Sequence, residues 1–462
     1  MIIDRVFTPG LAQVAYLIAD EASGDVAVID PRRDVDAYIA WADERGYGIT
    51  AIFETHVHAD FVSGALELAA RTGASVYASW ESEQTSPHTP LADAESVAVG
   101  SLSLKALWTP GHTPEHLAFL LIDPAQGKEP VALFSGDVLF VGEVGRPDLL
   151  GADQIQDLAT KLYHTVMDRL FRLPDDLIVY PGHTAGSACG KKIGEAPYTT
   201  IRGERIGNYA FQARSRDAFV QMVLDGMPLA PTYYPVMKQV NKVGATPLAD
   251  LPAPRALDPA HLAAADEGGA VIIDARPFER FGAGHIPGAI AAGLGKNFLA
   301  WMGWLAPYDH DIVLVLPSDD DLDEAVIEVR RIGLDRIAGY LAGGMASWTG
   351  DGRDIRTLSQ ITAPELAHRR EVRPNMIVLD VRSDEEWRDE HIPNAVHLYA
   401  GKIAQGADPN LPKDADIAVI CASGYRSSFV ASLLMDRGYR RLINVDGGMD
   451  DWNKRKLPIT RG

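Results

Sequence analysis

The stretch Glu54–Gly64, ETHVHADFVSG, places two imidazoles and a carboxylate at alternating positions, His56, His58 and Asp60. It follows an apolar run (Ile49, Ala51, Ile52, Phe53) that reads as a strand, so a loop at a strand end presents the three groups together. These are metal-ligating residue types at metal-ligating spacing. Further candidates follow: His112 in TPGHTPEHL, Asp137 in LFSGDVLF and His183 in YPGHTAGS, each at or just after a strand pattern. Gly or Pro flanks three of the four sites, so tight turns can aim them at one point. An isolated histidine is most often a surface or core residue, but this ordered set points to a metal. The residue after Asp60 is Phe61, which cannot ligate, so the cluster is incomplete as a two-metal site.

A second chemistry centres on Cys421. The apolar run DIAVI leads into this thiol, and Ser423, Gly424 and Tyr425 then form a short loop that opens the helical pattern SFVASLLMDRG. Backbone N–H groups of such a loop converge on the sulfur and the helix N-terminus adds positive potential, which stabilises a thiolate and a later persulfide. Arg426 adds a full charge and a fork of donors for sulfite-like or sulfane anions. Cys189, the other cysteine, stands near Lys191 and Lys192, which would lower its pKa if they faced it; a buried inert thiol is the alternative.

The elements that must position these groups are apolar runs: VAVID (26–30), YGITAIF (47–53), ASVYAS (74–79), LSLKALWTP (102–110), LAFLLI (117–122), VALFSGD (131–137) and DLIVYPGH (176–183). They predict one α/β catalytic domain over residues 1–245. The four prolines of ATPLADLPAPRALDP (245–259) predict a stiff linker, placed at 246–258. Beyond it the chain repeats: VIIDARPFERFGAGHIPGAI (271–290) matches IVLDVRSDEEWRDEHIPNAV (377–396), and Asp274 and Asp380 each stand eleven residues before His285 and His391. Two small parallel-sheet α/β domains in tandem are expected, over 259–353 and 358–462. In the first copy the cysteine position falls between Val315 and Pro317 and the loop reads SDDDLDE, so it holds no thiol and repels anions.

Length and composition agree with this division. A chain of 462 residues suits two to four domains at about 100–200 residues each. A formal charge of −20 argues against broad nucleic-acid or anionic-membrane binding. Asp4 and Arg5 interrupt any N-terminal apolar segment and no run approaches a membrane span, so a cytoplasmic protein is expected.

Residues 1–245 resemble the metallo-β-lactamase fold. Glyoxalase II-type hydrolases of that superfamily carry HxHxDH with two metals; here Phe61 replaces the last histidine. The resemblance therefore runs to the persulfide dioxygenases, which use one Fe(II), and it maps the ligands onto His56, His112 and Asp137. Two imidazoles and a carboxylate also form the facial triad of non-haem iron oxygenases. His58, Asp60 and His183 are then expected around the ligands, orienting them or moving protons. The segments VGEVGRPDLLG (141–151) and PGHTAGSACGKKIG (181–194) are similar to that family too; Arg146 either holds an anionic substrate or pairs with Asp148 or Glu143.

LDVRSDEEW, EHIPNAVHL, the Cys421 loop and GGMDDW resemble rhodanese sulfurtransferases, in which the loop cysteine carries sulfur as a persulfide; Asp380 and Arg382 match that family's supporting pair. The whole chain thus resembles a persulfide dioxygenase–rhodanese fusion whose first rhodanese copy is inactive. The resemblance implies a low-molecular-weight thiol persulfide such as glutathione or coenzyme A persulfide, O2, sulfite and thiosulfate as partners, one Fe(II) per chain, and a homo-oligomer. A zinc thioester hydrolase fused to a sulfur carrier and a non-enzymatic redox sensor are the competing readings.

Overall fold

The computed structural model describes residues 1–461 and separates into two compact units, Met1–Leu251 with Arg330–Gly333, and Pro252–Val329 with Leu334–Gly462. In the first unit two six-stranded sheets face each other. One begins with the antiparallel hairpin Ile2–Thr8 and Gln13–Ala19 and continues through Asp25–Ile29, Gly48–Phe53, Ser75–Ser79 and Thr89–Leu91. The other contains Ser96–Val99, Leu102–Trp108, Leu117–Ile122, Pro130–Gly136, Ile178–Pro181 and Thr199–Thr200.

Alternation along these strands sends one set of side chains inward. Tyr16, Ile29, Phe53, Leu104, Phe119 and Phe134 fill the space between the sheets. The opposite set packs under helices: Val28, Ile52 and Leu17 against Tyr38 and Leu68 on one outer face, Leu133 and Val179 against Leu162 and Phe219 on the other. This is the αββα sandwich expected of a metallo-β-lactamase fold. The histidines and acids lie on loops at the strand ends, where the scaffold is rigid and the backbone is free of ladder bonds.

The second unit contains two five-stranded sheets whose pairings are all parallel, as the two rhodanese-like domains require. Register makes the repeat explicit. Asp274 pairs with Val315 and Asp380 with Ile420, so Leu316 and Cys421 are the corresponding residues just beyond the two central strands. The proline-rich stretch differs from a plain linker. It holds a 3-10 turn, Leu248–Asp250, and a strand, Arg255–Leu257, that pairs with Ile337–Leu341, because Pro252 and Pro254 precede the paired residues and withdraw no ladder donor. Among the described residues no helix is long and apolar enough to cross a membrane.

Candidate metal centre and thiol loop

His56, His112 and Asp137 converge from three loops, all buried. His112 Nε2 lies 3.6 Å and His56 Nε2 3.9 Å from Asp137 Oδ2. The other ring atoms are spoken for. His112 Nδ1 donates to the Arg146 carbonyl at 2.9 Å, and His56 Nδ1 lies 2.8 Å from Thr55 Oγ1, whose hydroxyl donates to Asp30. Each bond fixes the tautomer that leaves the Nε2 lone pair pointing at Asp137. Burial lowers the pKa of both imidazoles, aided at His56 by His58 and His112, so both are neutral. His56 Nε2 and Asp137 Oδ2 are buried without a hydrogen-bond partner, and such orphaned acceptors are costly unless a cation joins them. The donor set fits a single metal ion with two nitrogen ligands and one oxygen ligand.

Asp137 is held in place by two histidines. His183 Nδ1 bonds its Oδ1 at 2.7 Å and His183 Nε2 bonds Asp60 Oδ2 at 2.8 Å. Burial opposes the charge on His183, but the two carboxylates raise its pKa to about 10, so an imidazolium bridges Asp60 and Asp137. His116, absent from the sequence candidates although it closes TPGHTPEHL, accepts the Asp137 backbone N–H at Nε2 (3.1 Å). Its pKa falls to about 3, through burial first and His112 second. Space here is minimal: a Cβ at Gly136 would sit 2.8 Å from His116 Nε2, and one at Gly182 would sit 2.7 Å from Asp137 Oδ1.

The His58 ring lies 4.3 Å from that of His56 and its Nδ1 is buried without a hydrogen-bond partner, but its Nε2 is turned to a separate pair of acids. Its Nε2 bonds Asp30 at 3.1 Å and lies 3.5 Å from Glu54, its ring lies against Phe61 at 4.3 Å, and those acids with Asp60 raise its pKa to about 9 against the effect of burial. Donor atoms of Asp60, His183 and Cys189 also lie within 4.8 Å of one another. There both His183 nitrogens are already bonded to carboxylates, and burial, then Asp137 and Asp60, push the Cys189 thiol up. Lys191 is not turned to Cys189: its Nζ donates to the Met222 and Asp225 carbonyls.

Arg146 does not offer a substrate fork. It is fully buried, it chelates Asp148 at 2.7 and 2.8 Å, and it donates to the carbonyls of Ala188 and Pro228. The ion pair with Asp148 is the reading the structure supports, since a side chain with four bonded donors has no free face for a ligand. A cation that the sequence did not single out, Lys238, is buried on the helix Tyr234–Val243, and its pKa falls to about 8 through desolvation. The same helix holds the His58–Phe61 loop through Asn241, which donates to the carbonyls of His58 and Phe61.

In the second unit Cys421 follows the strand Ile417–Ile420, and its sulfur accepts the Gly424 N–H at 3.1 Å and the Ser427 hydroxyl at 3.4 Å. Gly424 takes φ +105°, a conformation that turns its N–H toward the sulfur and opens the helix Tyr425–Asp436. Ser423 is exposed at the loop tip. Two expectations for this loop change. The Arg426 guanidinium is bidentate to Glu386 at 2.6 and 2.7 Å, so its charge stands near the sulfur but its fork is occupied. The Tyr425 hydroxyl donates to the Gly293 carbonyl and so turns away from the thiol. Asp380 and Arg382 form a buried chelate behind the loop, as expected of a supporting pair.

An αββα sandwich with buried ligands at its strand ends, followed by two parallel-sheet domains of which one carries a cradled thiol, defines a metallo-β-lactamase-fold protein with tandem rhodanese-like domains. The metallo-beta-lactamase superfamily profile matches residues 8–183, and the rhodanese-like domain profile matches 258–351 and 362–455. Hydroxyacylglutathione hydrolase of Polaromonas sp. (strain JS666 / ATCC BAA-500) is 34% identical over 187 residues, which are 40% of this chain and 66% of that protein. Persulfide dioxygenase ETHE1, mitochondrial, of Homo sapiens is 30% identical over 188 residues, 40% of this chain and 68% of that protein. The matched segment thus spans about two thirds of each relative's length. A crystal structure of a metallo-beta-lactamase from Staphylococcus aureus subsp. aureus COL superposes with a TM-score of 0.67 at 34% identity, covering 74% of this chain and 99% of that one. The chain belongs to the metallo-beta-lactamase superfamily, and its organisation matches a persulfide dioxygenase–rhodanese fusion.

Proposed function

We propose that residues 1–245 form a mononuclear iron(II) persulfide dioxygenase and that residues 358–462 form a sulfurtransferase acting through Cys421, with an inactive rhodanese copy at 259–353. The observation that carries the first half is the convergence of three unshared donors, His56 Nε2, His112 Nε2 and Asp137 Oδ2, beside a second set whose histidine, His183, has both nitrogens bonded to carboxylates. Phe61 removes one ligand and His183 spends both nitrogens on carboxylates.

Bound Fe(II) supplies the redox chemistry by which O2 and water convert the terminal sulfur of a thiol persulfide to sulfite and release the free thiol. The protein's part is positional. Thr55 and the Arg146 carbonyl hold the two imidazoles in the ligating tautomer, and His183 and His116 aim the Asp137 carboxylate. At the other site, Gly424 N–H and Ser427 Oγ–H stabilise negative charge on the Cys421 sulfur. Attack of sulfite on the outer sulfur of a Cys421 persulfide breaks the S–S bond, forms thiosulfate and returns the thiolate; the reverse step loads the cysteine from thiosulfate. Glutathione or coenzyme A persulfide is the substrate class proposed.

The similarity to a hydroxyacylglutathione hydrolase favours a second reading, a zinc-dependent thioester hydrolase fused to a sulfur carrier. Metal analysis after anaerobic preparation, with an oxygen-electrode trace on glutathione persulfide and a thioester assay in parallel, separates them. Iron at one per chain with persulfide-dependent O2 uptake is the expected result. Two zinc ions with thioester hydrolysis would replace the proposal, and a protein inert in both assays would be a binding module.

A further inference from the structure

The rhodanese copy that lacks a thiol contributes to the one that has it. The helix Tyr425–Asp436, whose N-terminus carries the Cys421 loop, turns one face toward the first copy, because residues 425, 429 and 432 follow helical spacing. Tyr425 donates its hydroxyl to the Gly293 carbonyl at 3.1 Å. Phe429 packs on Trp301 with ring centroids 4.6 Å apart. Ser432 Oγ accepts the Ala291 N–H at 3.2 Å. The loop itself is touched as well: the position a Cβ would occupy on Gly424 lies 3.1 Å from Phe278 Cζ, so this ring edge abuts the residue whose N–H caps the sulfur. Phe278 is in turn tied back, its carbonyl accepting Gln360 Nε2 at 2.6 Å.

From this we infer that the cysteine-less copy acts as a positioning element for the sulfurtransferase site, with Phe278 and the Tyr425–Gly293 bond holding the Gly424 N–H on the Cys421 sulfur. Both are positioning residues, since neither touches the reacting atoms. The inference rests on the proposed sulfur transfer at Cys421. Displacement of a donor by a fraction of an ångström weakens the charge stabilisation that the transferring sulfur requires, while a small donor such as thiosulfate still binds.

The test uses the full chain with thiosulfate as donor and cyanide as acceptor, with rates normalised to folded protein. Phe278→Ala is expected to lower kcat about tenfold with KM for thiosulfate changed less than about twofold. Phe278→Tyr, which keeps the ring, is expected to restore it. Tyr425→Phe, which removes only one hydroxyl, is expected to lower kcat roughly threefold. A purely structural role would lower the melting temperature and leave kcat per folded molecule unchanged, and that result in both variants overturns the inference. Should Phe278→Ala fail to fold, Tyr425→Phe decides alone, an unaltered kcat overturning it. An unmodified chain with no transfer at all would instead remove the Cys421 reading and the inference with it.

Discussion

In the last domain the residue after the central strand is Cys421, and the backbone then wraps its sulfur; in the preceding copy that residue is Leu316, and the chain enters a 3-10 turn, Asp319–Asp321. Behind the two loops the support is the same. Asp274 chelates Arg276 as Asp380 chelates Arg382, His285 bonds the Phe281 carbonyl as His391 bonds that of Trp387, and Trp348 and Trp452 each donate to a carbonyl six residues on. The charges at the mouth are reversed. Five residues past Cys421 and Leu316 stand Arg426 and Asp321, and six past the buried Asp380 and Asp274 stand Glu386 and Arg280. Asp319 stands at the position of Gly424, and its carboxylate accepts the Gly343 N–H at 3.0 Å. A cleft of about 490 Å³ remains there, lined by Arg276, Arg280, Leu316 and Asp319. The comparison teaches that the scaffold and the thiol cradle are separable: strands and buried pairs recur in both copies, whereas the loop from Cys421 to Ser427 that surrounds the sulfur occurs in one.

The largest expected effects come from removing the groups that have no substitute. Cys421→Ser should abolish thiosulfate sulfur transfer by the entire chain, because the matching position is Leu316. Residual cleavage would break the contrast between the copies, or implicate Cys189. The same variant should keep persulfide-dependent O2 uptake and release sulfite, measured beside thiosulfate. Conversely, His112→Ala or Asp137→Ala should take iron from one per chain to near zero and end O2 uptake, while sulfur transfer persists. Retained stoichiometric iron in either variant, by elemental analysis, would mean the ligand set is misassigned.

A smaller effect sharpens the comparison from the other side. Leu316→Cys places a thiol in the first copy, yet should give under about one hundredth of the activity of Cys421, since the loop offers acids in place of Arg426 and Asp319 stands where Gly424 caps the sulfur. Cyanolysis of thiosulfate in the Leu316→Cys, Cys421→Ser double variant measures this. Substantial turnover would show that the thiol alone was missing and that the reversed charges matter little.

Much of this was legible in the sequence because backbone pattern carries it. Three of the seven apolar runs of the first half, VAVID, VALFSGD and DLIVYPGH, end at Asp or His, and the repeat announces itself through VIIDAR and IVLDVR. The pairing of side chains was not, because it is decided by neighbours distant in the chain. His58 turns to Asp30, which the sequence presents only as the end of a strand, and Arg426 is claimed by Glu386 forty positions earlier. The first hairpin was likewise hidden. Ile2–Thr8 carries Asp4 and Arg5 at an edge, and only pairing with the wholly buried Gln13–Ala19 makes it a strand.

The smallest expected effect concerns the Arg426–Glu386 pair, which the first copy reverses. Burial pushes the Glu386 carboxyl up, but the two bonds and the charge of Arg426, with the Ser383 N–H, outweigh it and hold the pKa at about 2. An unfolded glutamate titrates near about 4.3, so the folded value is depressed. Its contribution to stability is therefore complete above about pH 5 and is lost as pH falls from there toward about 2. The pair is partly open to solvent, so the pH-dependent part should stay within about 1 kcal/mol. Glu386→Gln is the right variant, because Gln can still accept the Ser383 N–H and complete the cap of Asp384–Asp389 while losing the charge. Melting temperatures of the second unit's transition in the full chain, compared between the unmodified protein and Glu386→Gln, should differ most near neutral pH and converge as the solution is acidified below about pH 4. A difference that stays constant across that range would mean that the carboxylate's charge contributes nothing, and that the bidentate contact holds Arg426 by geometry alone.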